Sequence, residues 1–110
     1  MTKAKADFTE RQKKMALFAK ALSHPARIYI VERLSEYKDS CCTSGEMIGE
    51  IPIARSTLSR HLKELKYSGL IQGDIEPPFI KYCLHKENWD LARKLYSELF
   101  DKNIIDNCIT

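Results

Sequence analysis

Arg55-Ser56-Thr57-Leu58-Ser59-Arg60-His61-Leu62-Lys63-Glu64-Leu65-Lys66 is the stretch on which the fold of this 110-residue chain turns. Leu58, Leu62 and Leu65 recur at the spacing of one helical face, and Ser56, Ser59, Arg60 and Lys63 turn away from it. The helix should stop at Ser68-Gly69, because glycine takes the left-handed conformation that closes a helix, and Leu70-Ile71-Gln72 begins an extended run. Between Ile53 and Ser68 four cations, Arg55, Arg60, Lys63 and Lys66, meet one acid, Glu64, so this segment alone accounts for a net charge equal to the +3 of the whole chain. A charged helix face is by itself most often a solvated surface, so the elements around it must decide its meaning.

Upstream, Thr43-Ser44-Gly45-Glu46 fits a capping box and opens a short helix whose apolar positions Met47, Ile48 and Ile51 stop at Pro52. Downstream, Gly73-Asp74-Ile75-Glu76-Pro77-Pro78 is rich in turn residues, and Phe79-Ile80-Lys81-Tyr82-Cys83-Leu84 is aromatic and β-branched enough to pair back as a hairpin. A short helix, a tight turn, a polar-faced helix and a hairpin follow the order of a winged helix-turn-helix, whose second helix enters the DNA major groove. Further out, Thr9 with Gln12 forms another capping box. Met15, Phe18, Ala19 and Leu22 then place a first helix from about Thr9 to Leu22. Ser23-His24-Pro25 resets the backbone, and Ile28, Val31 and Leu34 carry a second helix to about Tyr37. Trp89, Leu91, Ala92, Leu95, Tyr96, Leu99 and Phe100 cover more than one side of a last helix, an excess of apolar surface that suggests a subunit interface.

The expected fold class is therefore mainly α with a small β-hairpin, a single winged helix-turn-helix domain over residues 1–110 with a flexible tail at 1–8. At this length there is room for one core, which excludes an enzyme with separate cofactor and substrate domains. Apolar residues at 44% and charged residues at 30%, with four Gly and four Pro, place the chain among ordinary globular proteins. No apolar run approaches the roughly 20 residues of a membrane span, and the lysines of the N-terminus precede no signal-peptide core, so a cytoplasmic location is expected. The chain has no phosphate loop, no paired catalytic carboxylates, no complete nucleophile constellation and no Cys-x-x-Cys, which argues against an enzyme.

Ala21-Leu22-Ser23-His24-Pro25-Ala26-Arg27, together with the run from Ser56 through Arg60-His61-Leu62 to Ser68-Gly69-Leu70-Ile71, closely resembles the ArsR/SmtB family of metal-sensing repressors. The likeness spans about Phe8 to Phe100. It implies a homodimer built through the first and last helices that binds double-stranded operator DNA at an imperfect palindrome and releases it when an effector binds. The same resemblance makes Ser56, Thr57, Ser59, Arg60 and His61 the DNA-facing residues with Lys63 near the backbone, and Arg55 and Lys81 are the adjacent cations. Two positions depart from the family pattern. Ala54 stands where a capping Ser is frequent, and the wing carries Asp74 and Glu76 with only Lys81 against them, so the helix is expected to dominate DNA contact.

Cys41 and Cys42 lie where the resembling family often carries thiolate ligands, but its arsenic-binding motif does not transfer literally, because Thr43 and Gly45 fall in the ligand positions. The family's zinc pattern is missing from the last helix. A strand leading into the third helix should pair beside the hairpin and bring Cys83 towards Cys41 or Cys42. Three sulfurs from Cys41, Cys42 and Cys83 would suit a thiophilic ion, arsenite or antimonite first, then cadmium, lead or zinc. One geometric condition applies: neighbours on a regular strand point to opposite faces, so a single ion holds both only where the segment bends. The competing readings are direct thiol oxidation, with a partner between subunits or at Cys83, and plain core packing of Cys42 and Cys83. Cys108 would supply a ligand or nothing, His24 and His85 sit at element boundaries where capping is commoner than ligation, and no resident cofactor is required. The alternatives to a metalloid-released repressor are a thiol-redox-responsive repressor and a winged-helix interaction module without DNA binding.

Overall fold

In the computed structural model residues 7–37 and 39–104 are described. The elements run α1 (Glu10–Ala21), α2 (Pro25–Glu36), β1 (Cys41–Thr43), α3 (Ser44–Ile48), α4 (Arg55–Ser68), β2 (Ile71–Glu76), β3 (Phe79–Leu84) and α5 (Lys86–Phe100). Each helix starts where its sequence provides a partner for the free N–H groups of the first turn. Thr9 and Thr43 form complete capping boxes with Gln12 and Glu46. His24 and His85 also cap, their ring nitrogens accepting from Ala26 N–H and Asn88 N–H, and Pro25 fills the first turn of α2. These are the boundary roles expected of the two histidines. The exception is α4, whose N-cap Ala54 has no side chain to offer.

The strands form one antiparallel sheet in the order β1-β3-β2. As expected, the segment ahead of α3 pairs beside the hairpin as a third strand. Its register sets Cys41 opposite Cys83, Cys42 opposite Tyr82 and Thr43 opposite Lys81.

The core lies where α1, α2, α4 and the inner face of the sheet meet. Phe18, Ile30, Leu34, Met47, Leu58, Leu62, Leu65, Leu70 and Ile71 are its fully buried large side chains. Those on helices lie on the buried faces of α1 to α4, with Ile30 inside where Ile28 was expected and Ile28 exposed, while Leu70 and Ile71 come from the entry to β2, at roughly 1.5–3 kcal/mol of transfer free energy per side chain. The last helix leans on this core through Ala92, with Trp89, Leu91 and Tyr96 packed beside it, and is tied to α1 by the Tyr96 hydroxyl, which donates to the Met15 carbonyl. Arg11 of α1 also pairs with Glu98 at 3.7 Å. Beyond these contacts Phe8, Leu99, Phe100 and Ile104 stay exposed at the α1/α5 end. The expected flexible tail at 1–8 lies outside the described residues except for Asp7 and Phe8, and Cys108 lies outside them altogether. No described helix is long and apolar enough to cross a membrane.

Candidate nucleic-acid interface

The candidate interface is built by burying one side of α4. Leu58, His61, Leu62, Leu65 and Ser68 face inward, leaving Arg55, Ser56, Ser59, Arg60 and Lys63 exposed and Thr57 half-buried. The outward set is a row of donors and cations on a rigid helix, the composition that contacts phosphates and base edges. At the far end Gly69 adopts φ 90° and ends the helix, with its N–H bonded to the Lys66 carbonyl. Asn88 of α5 then holds the turn by donating from Nδ2 to the Gly69 carbonyl at 2.9 Å.

His61 corrects the expectation that it would face DNA. It is 5% exposed and accepts on Nδ1 from Arg27 Nε at 2.9 Å, while its ring lies 4.4 Å from that of His24. Its other nitrogen, Nε2, is buried without a hydrogen-bond partner among the described residues. Burial first, then the neighbouring His24, Arg27 and Arg60, push its pKa down, so it stays a neutral imidazole that docks α4 onto the start of α2. Leu58, His61, Leu62 and Leu65 share one helical stripe, and that spacing is the signal that puts His61 inside.

Lys81 is half-buried on the outer face of the wing, 3.9 Å from Asp39 and opposite Asp74 in register. Its charge is thus engaged by acids of its own chain. The wing tip instead shows Ile75, Phe79 and Ile80. Phe79 lies against α3 at Gly45, where a Cβ would come within 2.8 Å of its ring.

The three cysteines are not brought together. Cys41 and Cys83 are joined by a disulfide across β1 and β3, their Cα atoms 4.0 Å apart. Cys42 points to the other face of the strand, as alternation requires, and is 3% exposed in the core. Its thiol donates to the Thr43 carbonyl at 3.4 Å. Burial pushes the Cys42 thiol up, against the opposing effect of the Tyr37 hydroxyl beside it. The same pairing pushes Tyr37 up to about 12. Tyr37 is also reached by Arg33 Nη2 at 3.0 Å, and Arg33 pairs with Glu50, so Cys42 lies at the inner end of a polar chain that runs out to the surface. The bend that a three-sulfur site required is absent from β1, and among the described residues no three His, Cys, Asp or Glu side chains are grouped to hold a metal ion.

A helix-turn-helix with this polar outer face, followed by a wing, can be set beside known proteins. Residues 24–72 match the family model described as bacterial regulatory protein, arsR family. The transcriptional repressor BigR from Xylella fastidiosa is 31% identical with a TM-score of 0.63, over 81% of this chain and 89% of that one. The chain belongs to the ArsR family. Two further structures share the ArsR fold at lower identity. An ArsR-like transcriptional regulator from Rhodococcus sp. RHA1 gives a TM-score of 0.70 at 17% identity, covering 84% of this chain and 85% of that one. A homodimeric winged helix-turn-helix DNA-binding domain from Mycobacterium bovis gives 0.64 at 19%, covering 96% and 99%. No curated protein sequence matches this ArsR-family chain. The family and the fold are those of transcriptional regulators.

Proposed function

We propose that the protein is a dimeric transcriptional repressor that reads operator DNA with α4 and answers an effector through Cys41 and Cys83. The observation that carries the DNA half is the division of α4 into a buried apolar face and an outer face holding Arg55, Ser56, Ser59, Arg60 and Lys63. Thr57 flanks that face, and His61 and Lys81 have the internal engagements described above. Ala54 leaves the first N–H groups of α4 without a side-chain cap, and a DNA phosphate is the natural acceptor for such a helix start.

A second copy of the chain is the occupant proposed for the α1/α5 end, where Phe8, Leu99, Phe100 and Ile104 are exposed. A two-fold dimer would set two α4 helices for half-sites about 34–36 Å apart. The Mycobacterium bovis domain is homodimeric, which supports a dimer for this chain. For the effector, the placement of the cysteines supports chemistry on two sulfurs rather than the three of an arsenite-type site.

The test is fluorescence anisotropy on duplex DNA from upstream of the protein's own gene. Wild type should bind with an affinity that falls steeply with salt. Arg60→Ala should weaken it by about 1–3 kcal/mol with unchanged thermal stability, because Arg60 is exposed. Unchanged affinity in Arg60→Ala would remove α4 as the reading helix. Failure of wild type to bind any such duplex, with dimerisation retained, would favour the interaction module.

A further inference from the structure

We propose that Cys41 and Cys83 form a reversible dithiol–disulfide site within one protomer, closed by hydroperoxides, and that the closed form is the one that binds operator DNA more tightly. The regulatory half rests on the reading of α4 as the DNA-reading helix; the chemical half does not.

Three features of the fold carry it. The two cysteines are direct cross-strand partners on the outer face of the sheet and both are half-buried, so small oxidants and reductants reach them while the sulfurs remain aligned. Cys42 is excluded, since its side chain lies in the core on the opposite face. The bridge joins positions 42 apart in sequence, and the loop it closes contains α3, α4 and β2, the whole helix-turn-helix and the first strand of the wing.

Besides the β1–β3 ladder, the wing therefore has two side-chain attachments at the start of the helix-turn-helix. Near its tip Phe79 packs on Gly45 of α3. At its root Cys83 is bound to Cys41, two residues before Thr43, whose side chain caps α3. Opening the bridge leaves the strand ladder and the Phe79 contact and removes the covalent tie at the root. A wing held in place before DNA arrives has less ordering left to do on binding, which favours the closed form.

The chemistry balances without a metal. One cysteine thiolate attacks a peroxide oxygen, the O–O bond breaks, and the sulfur is oxidised to a sulfenic acid while the departing oxygen leaves as water or alcohol. The second thiolate attacks that sulfur, the S–S bond forms and the S–O bond breaks, and the hydroxide takes a proton and leaves as water. Two thiols and one hydroperoxide thus give one disulfide, one water and one further water or alcohol. A dithiol reductant reverses the bridge by thiol–disulfide exchange.

The experiment uses the full chain, reduced with a dithiol and then treated with hydrogen peroxide. Peptide mass mapping after alkylation locates the bridge, and anisotropy on the upstream duplex gives Kd in each state. A Cys41–Cys83 bridge is expected, with Kd about five-fold lower after oxidation, the lower end of ordinary coupling between two sites. Cys41→Ser and Cys83→Ser should bind like the reduced wild type under both conditions, and Cys42→Ala should keep the response. A bridge mapped through Cys42 or Cys108 would overturn the chemical assignment. Equal affinities, or weaker binding after oxidation, would overturn the regulatory one even if the variants did not fold, because wild type alone supplies that comparison. Absence of DNA binding in both states would remove the repressor reading, and the peptide map would still decide the thiol chemistry.

Discussion

Replacing Gly69 by Ala should destabilise the domain by about 2–3 kcal/mol, through two contributions that can be separated. Gly69 has φ 90°, a conformation that costs an L-residue about 1–2 kcal/mol. A Cβ there would also lie 2.7 Å from Asn88 Nδ2, which now donates to the Gly69 carbonyl at 2.9 Å. The Asn88 side chain must leave, and the lost hydrogen bond adds about 1 kcal/mol. Asn88→Ala alone should therefore cost about 1 kcal/mol, and the double variant Gly69→Ala/Asn88→Ala no more than Gly69→Ala, because the bond is already lost. Urea unfolding at fixed protein concentration gives all three values, with the midpoint shifting at constant m. A Gly69→Ala change below about 0.5 kcal/mol, or a double variant equal to the sum of the singles, would refute this account of the α4 terminus.

Ala54→Ser should stabilise the protein by about 1 kcal/mol in the same assay, since Ala54 has the extended backbone of an N-cap at φ −66° and ψ 152° and lacks only the acceptor; no gain would mean that α4 starts elsewhere. Burial lowers the pKa of His61, so the folded state binds fewer protons than the unfolded one; stability should be full above about pH 6.5 and fall as pH drops towards the folded value, with a shallower slope in His61→Gln. Reducing the Cys41–Cys83 bridge, whose ends are 42 positions apart, should lower the unfolding free energy by about 4 kcal/mol on loop entropy, and a loss below about 1 kcal/mol would contradict that. Phe100→Glu should shift sedimentation from dimer to monomer if the exposed α1/α5 end is the subunit contact, and an unshifted dimer would place the contact elsewhere.

Most of the helices were legible because local chemistry and periodicity agreed. Both capping boxes opened helices, Pro25 set the start of α2, and Gly69 ended α4. The exposed polar row of α4 was legible for the same reason: Leu58, Leu62 and Leu65 fix one face of the helix and leave its polar residues outside. His61 was the exception, because residue type pointed outward while position pointed inward. Position prevailed because Arg27 supplies a donor for Nδ1 in the interior, a contact between residues 34 apart that no local pattern contains. Lys81 likewise looked like a phosphate contact until the fold brought Asp39 beside it.

The cysteines show how strand parity decides chemistry. Leu84 is buried and Tyr82 packs against the core, so alternation sends Cys83 and Lys81 to the outer face of β3. On β1 the parity is set from the other end, where Thr43 must cap α3 and Met47 must enter the core. Together these constraints put Cys42 inside and Cys41 outside, opposite Cys83. A slip of one residue would reverse both faces, burying Cys41 and exposing Cys42. Two adjacent cysteines on a three-residue strand thus have separate fates. One packs in the core beside Tyr37, and the other faces Cys83 across the root of the wing. The three-sulfur reading failed on this parity, whereas pairing through Cys83 required only that the strand ahead of α3 join the hairpin.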